Sequence, residues 1–180
     1  MCRLSRHSTS ASWTRSARCS VRVALLGAYA LQDNRISGGP EAVVVQLAQG
    51  LRRLPGVEVH VFTNSGRASQ DSVQARDGVM VHTLRLRRVP RWTLVRANAR
   101  ALARAVARIA PDVAHAHSAG TYADAALSSG APAVITVHGV IRHEAQLFRR
   151  HGLTWREKLS WQFEVWYERR CLARAGDVIA

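Results

Sequence analysis

The sequence predicts an α/β domain built on a doubly wound, Rossmann-like parallel sheet. Three observations carry this. From Val21 onward, short apolar runs alternate with stretches of helical periodicity, the pattern of parallel strands joined by crossover helices. The first run, Val21-Arg22-Val23-Ala24-Leu25-Leu26, is apolar nearly throughout, as a strand covered on both faces must be. The residues best suited to chemistry fall after the strands, where open parallel sheets bind ligands.

Taken in order, Val21–Gly27 is the first expected strand. Gly38-Gly39-Pro40 then opens a helix, with proline suited to a first turn that has no use for its missing N–H. Val43, Val44, Leu47, Leu51 and Leu54 form its apolar stripe, and Pro55-Gly56 ends it. Val57–Phe62 alternates around Glu58 and His60 as a second strand, and Val79–Leu86 follows as a third. A strong helix is expected where Leu94, Val95, Leu102, Val106 and Ile109 share a face opposite a row of arginines, with Pro111 beyond its end. Asp112–His117 reads as a short buried strand, Thr121–Ser129 as a small helix, and Ala133–His138 as the strand after the turn Gly130-Ala131-Pro132. Trp155–Ala175 reads as a long amphipathic helix using Leu159, Phe163, Trp166 and Leu172, and Asp177–Ala180 as the start of a further strand.

A chain of 180 residues suits one such domain and is short for two. Its 47% hydrophobic and 21% charged residues rule against wholesale disorder, and no apolar run approaches the ~20 residues that span a bilayer. The formal charge of +14 raises the question of a polyanionic partner. Yet Lys158 is the only lysine among 26 basic residues, a ratio that reflects a GC-rich coding sequence better than selection for phosphate contacts. Arg3, Arg6, Arg15 and Arg18 moreover sit in an opening segment foreign to the fold. No nucleic-acid partner is expected, and an anionic lipid or membrane surface fits the basic character better. The three cysteines, Cys2, Cys19 and Cys171, have no metal-like spacing and read as reduced thiols of a cytoplasmic protein.

Residues 1–20 are rich in serine and arginine, contain no acid and show no apolar periodicity, so the domain is taken as 21–180. A transit-like peptide fits the composition. A secretory signal would use Val23–Leu31 with Ala28-Tyr29-Ala30 as its cleavage site. A misassigned start is preferred, because reading Val23–Leu31 as a signal deletes a strand that the later pattern needs.

The chemistry-bearing clusters are Asp33–Gly39 after strand one, His115-Ala116-His117-Ser118 at the end of a middle strand, and His138-Gly139 at the end of the next. Gly38 and Gly39 permit close backbone approach at a helix N-terminus whose unpaired N–H groups suit an anion; the plain alternative is a tight turn. Glu41 favours the dipole of that helix, or hydrogen-bonds an acceptor hydroxyl. His115 and His117, two apart on a strand, point to one face and raise the question of a metal, but no carboxylate-rich partner motif lies nearby apart from Asp124. His138, between an apolar strand and a glycine, is the best single polar candidate.

Together, Val21-Arg22-Val23-Ala24-Leu25-Leu26, Gly38-Gly39-Pro40-Glu41, Pro111-Asp112-Val113-Ala114-His115-Ala116-His117-Ser118, Pro132-Ala133-Val134-Ile135-Thr136-Val137-His138-Gly139 and Ala175-Gly176-Asp177-Val178-Ile179-Ala180 resemble the N-terminal domain of family 4 glycosyltransferases. The resemblance covers essentially all of 21–180 and implies one half, the acceptor side, of a two-domain GT-B fold. It implies transfer from a nucleotide-sugar donor to a saccharide or lipid acceptor with retention of anomeric configuration, and with no metal or other cofactor. It gives His138 the catalytic place beside the transferred sugar, and puts Gly38 and Gly39 near the donor diphosphate or the acceptor. Glu41, His117 and Ser118 become acceptor-side candidates. The basic residues that hold the donor phosphates and the paired glutamates of the family belong to a second domain. The chain is therefore expected to be a fragment, or one half of a split enzyme, that needs a donor domain to transfer sugar.

Two other readings stand beside this one. The first is a non-catalytic acceptor-binding or split-enzyme domain. The second is a metal-dependent hydrolase using His115, His117 and His138. The aromatic stretch Trp155, Trp161, Phe163, Trp166 and Tyr167 reads as core. Its alternative is a peripheral contact with the inner face of the plasma membrane, through tryptophans beside Arg149, Arg150 and Arg156.

Overall fold

The computed structural model describes residues 20–30, 36, 38–86, 91–141, 143, 146 and 154–180, with the side chains of 91–95 left aside. The expected leader and most of the loop Asp33–Gly39 lie outside these residues, as do Leu94, Val95, Arg149 and Arg150 as side chains. The strands are β1 (Val21–Leu26), β2 (Val57–Ser65), β3 (Ser72–Arg76), β4 (Val79–Arg85), β5 (Val113–His117), β6 (Ala133–Thr136) and β7 (Asp177–Ile179). The helices are α1 (Gly39–Leu51), α2 (Arg91–Ile109), α3 (Thr121–Leu127) and α4 (Trp155–Leu172).

The strands form a single sheet in the order β3-β4-β2-β1-β5-β6-β7, and every pairing is parallel except β3 with β4. The expected mixed α/β fold is therefore present, with one strand more than the sequence pattern offered. Strand β3 lies at the edge and is largely solvated, so it carries no hydrophobic alternation to betray it. Its marker is the turn: Asp77 and Gly78 both take positive φ, 47° and 78°, as an Asp-Gly hairpin turn requires.

The register sorts the sheet into two faces. On one, Val23, Leu25, Val59, Val61, Val79 and Val81 pack under Val44 and Ala48 of α1. On the other, Ala24, Leu26, Phe62, Leu84, Ala114 and Ala116 meet α2, α3 and the Tyr167–Cys171 turn of α4. Helix α2 is amphipathic as expected: Leu102 and Val106 are fully buried, while Arg100, Arg104 and Arg108 are exposed. The buried face of α3 is entirely alanine (Ala123, Ala125 and Ala126), which lets α2 and α4 come close.

Helix α4 departs from expectation. Its buried residues are Tyr167, Glu168 and Cys171, whereas Leu159 is 39% and Trp166 47% exposed, and Trp155 69%. With apolar residues on all sides, hydrophobicity alone does not choose a face. Polar contacts do: Tyr167 donates its hydroxyl to Asp124 Oδ2 at 2.8 Å, and Glu168 Oε1 accepts from the backbone N–H of Ile141 at 3.0 Å. Arg174 Nη1 holds the other Asp124 oxygen at 2.6 Å. The start of α4 is closed by a capping box between Thr154 and Glu157.

A polar chain, partly exposed at its Arg22–Glu58 end and buried at His60, crosses the amino-terminal half of the sheet. Arg22 Nε pairs with Glu58 Oε2 at 3.0 Å, Glu58 Oε1 meets His60 Nε2 at 2.8 Å, and His60 Nδ1 meets His82 Nε2 at 2.9 Å. The His82 ring stacks on Phe62 with centroids 4.3 Å apart. Burial, helped by His60 and Arg108, pushes the His82 pKa down to about 4. Its folded pKa thus lies below the unfolded value of 6.5, so the native state binds fewer protons there. The stabilisation is whole above pH 6.5 and is lost as pH falls toward 4. Denaturant midpoints should fall across that window, and His82→Gln, which cannot titrate, should show a shallower fall; an unchanged slope would remove His82 as a source.

Helix α1 sits unusually close to β1 where Gly27 leaves the strand. A Cβ on Gly27 would lie 2.8 Å from Val44 Cγ2 and 3.3 Å from His117 Cβ. Since Val44 is β-branched and fully buried, it has little room to yield. Gly27→Ala should cost about 1–3 kcal/mol by overpacking. In denaturant titrations the loss should be partly relieved in the Gly27→Ala, Val44→Ala pair, and strictly additive costs would show that the two sites do not clash.

Candidate functional site

The site is built where β1, β5 and β6 end. Gly27 continues β1 and donates its N–H to Phe62 O at 3.1 Å. Because Leu25 pairs with His115 and His117 with Thr136, His115 and His117 share the α1 face of the sheet. Their rings lie 4.4 Å apart, and the next ring, His138, is 5.3 Å from His117 at an interplanar angle of 16°. The sequence clusters thus converge: His115, His117 and His138 form one row, with Gly27 and Val44 beside it.

Each histidine is held differently. His115 Nε2 bonds Thr136 Oγ1 at 2.7 Å, and His117 Nδ1 meets His138 Nε2 at 3.1 Å. His117 is 3% exposed and its Nε2 is buried without a hydrogen-bond partner, whereas His138 is exposed at the rim. Burial, reinforced by His115 and then His138, pushes the His117 pKa down to about 4, and burial also lowers that of His115. His117 is therefore neutral at pH 7, with one proton to place on two nitrogens.

Ser118 follows His117 with φ 115°, a region that strains a residue with a side chain by about 1–3 kcal/mol. Its N–H donates to Thr136 O at 3.0 Å, so the chain leaves β5 abruptly with the register to β6 intact. The loop carrying His138 is in turn tied to α4 by the Glu168–Ile141 bond, with Glu168 only 3% exposed. Sequence reading missed Gly27, Thr136 and Glu168. Glycine at the end of a first strand was visible as a signal; the partners of Thr136 and Glu168 depend on tertiary contacts that no local pattern encodes.

The other expected residues lie at the start of α1. Val44 sits over Gly27, and the helix begins at Gly39, about 7.5 Å further along its axis at the helical rise of 1.5 Å per residue. Gly38 caps the helix with φ −171°, extended backbone open to any residue, and accepts from Ala42 N–H at 3.1 Å. Among the described residues, a Cβ on Gly39 would meet nothing within 4 Å, and one on Gly38 only Pro40 Cδ at 4.0 Å. Internal packing therefore does not demand glycine at either position. Glu41 lies in the first turn and is buried.

Among the described residues, no three of the His, Cys, Asp and Glu side chains are disposed to share a metal ion. The histidine row binds itself and Thr136, and Asp124 is engaged with Tyr167 and Arg174 across α3 and α4. A groove of about 360 Å³ beside α1, lined by Tyr29, Gln49, Arg52, Arg76 and Asp77 among others, reaches the β3–β4 turn at the opposite end of the sheet. No described helix is long and apolar enough to cross a membrane.

Comparison with known proteins bears on the fold and the family. Residues 37–180 match the model of Glycosyltransferase Family 4. No curated protein sequence matches the chain. Among solved structures, sucrose-phosphate synthase from Thermosynechococcus elongatus is similar with a TM-score of 0.57 at 16% identity, covering 88% of this chain and 47% of that one. An alpha,alpha-trehalose-phosphate synthase (UDP-forming) from Burkholderia vietnamiensis gives a TM-score of 0.43 at 16% identity, covering 66% and 33%. The chain thus spans about half the length of the first structure, and its seven-stranded sheet matches one Rossmann-like half of a GT-B fold. With most of its length matched by the family model, the chain belongs to glycosyltransferase family 4.

Proposed function

We propose that the chain supplies the acceptor-side half of a retaining glycosyltransferase, which moves a sugar from a nucleotide-sugar donor to a saccharide or lipid acceptor once a donor-binding domain completes it. One observation carries the reading: in a family 4 chain, His138 stands exposed at the carboxyl rim and is held there by buried His117. Ligands of open parallel sheets bind at that rim.

The chemistry follows from the placement. As the bond to the leaving diphosphate breaks, the sugar gains oxocarbenium character. A neutral imidazole hydrogen-bonded to one of its hydroxyls orients it without adding positive charge. His138 takes this role, with one ring nitrogen tied inward and the other left for the ligand. Gly38 and Gly39, required neither by backbone angle nor by internal packing, let a diphosphate or an acceptor come close to the N–H groups of α1. Glu41 and Ser118 lie on the acceptor side, and His117 acts from beneath. No metal or other cofactor enters the reaction. The activity belongs to the completed enzyme; a non-catalytic acceptor-binding domain is the outcome if completion yields no transfer.

The test is transfer of labelled sugar by the chain fused after Ala180 to a family 4 donor-binding domain. The chain alone should be inactive and the fusion active, with His138→Ala lowering turnover by about 10²–10³-fold, as loss of a preorganised donor does. Circular dichroism should show the fold retained. Near-normal turnover of His138→Ala would remove it from the site.

A further inference from the structure

We propose that His117 is a positioning residue: its Nδ1–H donates to Nε2 of His138 and holds His138 as the Nδ1–H tautomer, with that N–H presented at the rim. The proposal rests on the reading of His138 as the ligand-facing group, but the tautomer is a property of the unliganded chain.

Two arrangements of protons fit the 3.1 Å contact between His117 Nδ1 and His138 Nε2. Either His117 donates and His138 accepts, or the reverse. In the reverse case neutral His117 must carry its proton on Nε2, and that atom is buried with no hydrogen-bond partner. An orphaned buried N–H is among the rarest defects in folded proteins, whereas a bare acceptor lone pair is better tolerated. Protonating both nitrogens is disfavoured by burial and by the neighbouring imidazoles. The donor arrangement, with the proton on Nδ1, is therefore the stable one.

Packing keeps His117 in that pose. The His115 ring lies 4.4 Å from it on one side, itself tied to Thr136 Oγ1 at 2.7 Å. A Cβ on Gly27 would come within 3.3 Å of His117 Cβ, so the chain leaving β1 lies against the base of the side chain. An imidazole confined in this way acts on its neighbour as a fixed donor. The consequence for His138 is a defined chemistry at the rim: a hydrogen-bond donor, suited to the oxygen of a sugar hydroxyl, in place of the mixture of tautomers of a free imidazole.

The experiment is two-bond ¹H–¹⁵N spectroscopy of the imidazoles in the ¹⁵N-labelled full chain at pH 8. The expected spectrum has His138 protonated on Nδ1 only and His117 protonated on Nδ1 only. His117→Phe keeps an aromatic ring but no donor, and His138 should relax to the mixed tautomers of free imidazole. His117→Asn places an amide N–H near the lost Nδ1–H and should restore the single Nδ1–H form. A wild-type His138 carrying its proton on Nε2 overturns the proposal whether or not the variants fold, as does an unchanged His138 in folded His117→Phe. If the spectra are as expected while His138→Ala leaves transfer intact, the tautomer assignment stands and the ligand role of His138 falls.

Discussion

The arrangement of the site depends on the missing side chain of Gly27. With nothing but hydrogen on that Cα, Val44 can settle against the end of β1 and bring α1 down onto the sheet. The same absence opens the space that His117 occupies at the end of β5. One small residue thus sets the height of α1 and the position of the inner histidine, and with it the direction from which His138 is held. A β-branched residue on one side and an imidazole on the other make the contact hard to relax, because neither has a flexible end to move aside.

Around that contact the protein separates its charges from its chemistry. Arg96, Arg100, Arg104 and Arg108 of α2 lie outward, and polar groups at the sheet are joined in short chains: Arg22–Glu58–His60–His82 on one face, Thr136–His115 and His117–His138 on the other. The backbone of Arg22 also donates to Asp112, and its side chain reaches the carbonyl of Ile109, so the first chain ties β1 to the end of α2. Burial keeps the inner histidine, His117, neutral at pH 7, so no fixed positive charge stands beneath the rim. Where such chains include histidines whose pKa burial has lowered, as at His82 and His117, the fold becomes sensitive to acid that forces them to charge.

Much of this was legible in the residues. Apolar runs located β1, β2, β4, β5, β6 and β7 to within a few residues, and the central strands among them, covered on both faces, have little choice of composition. Histidines at strand ends could be brought to one rim from strand order alone, and they converge there. Strand β3 was not legible as a strand, since at the edge Ser72–Arg76 needs no apolar pattern; only Asp77-Gly78 announced it. The face of α4 was misread because Tyr167, Glu168 and Cys171 are chosen by partners on α3 and after β6, beyond any periodicity. Likewise His117, two residues from His115 and outwardly similar, is distinguished from it by its partner His138 and by a buried Nε2 with no hydrogen bond, where His115 Nε2 has Thr136. Family resemblance located the candidates, and tertiary contacts assigned them separate parts.

The central claim is that ligand meets this domain at the rim where β1, β5 and β6 end. It is tested most directly by mapping amide shifts of the ¹⁵N-labelled chain during titration with a nucleotide sugar and, separately, with a methyl glycoside. The account predicts that the largest changes fall at Gly27, Gly39, Ser118 and Gly139 for at least one of the two. Changes confined to the opposite end of the sheet, around Gly56, Gly78 and Gly130, would contradict it.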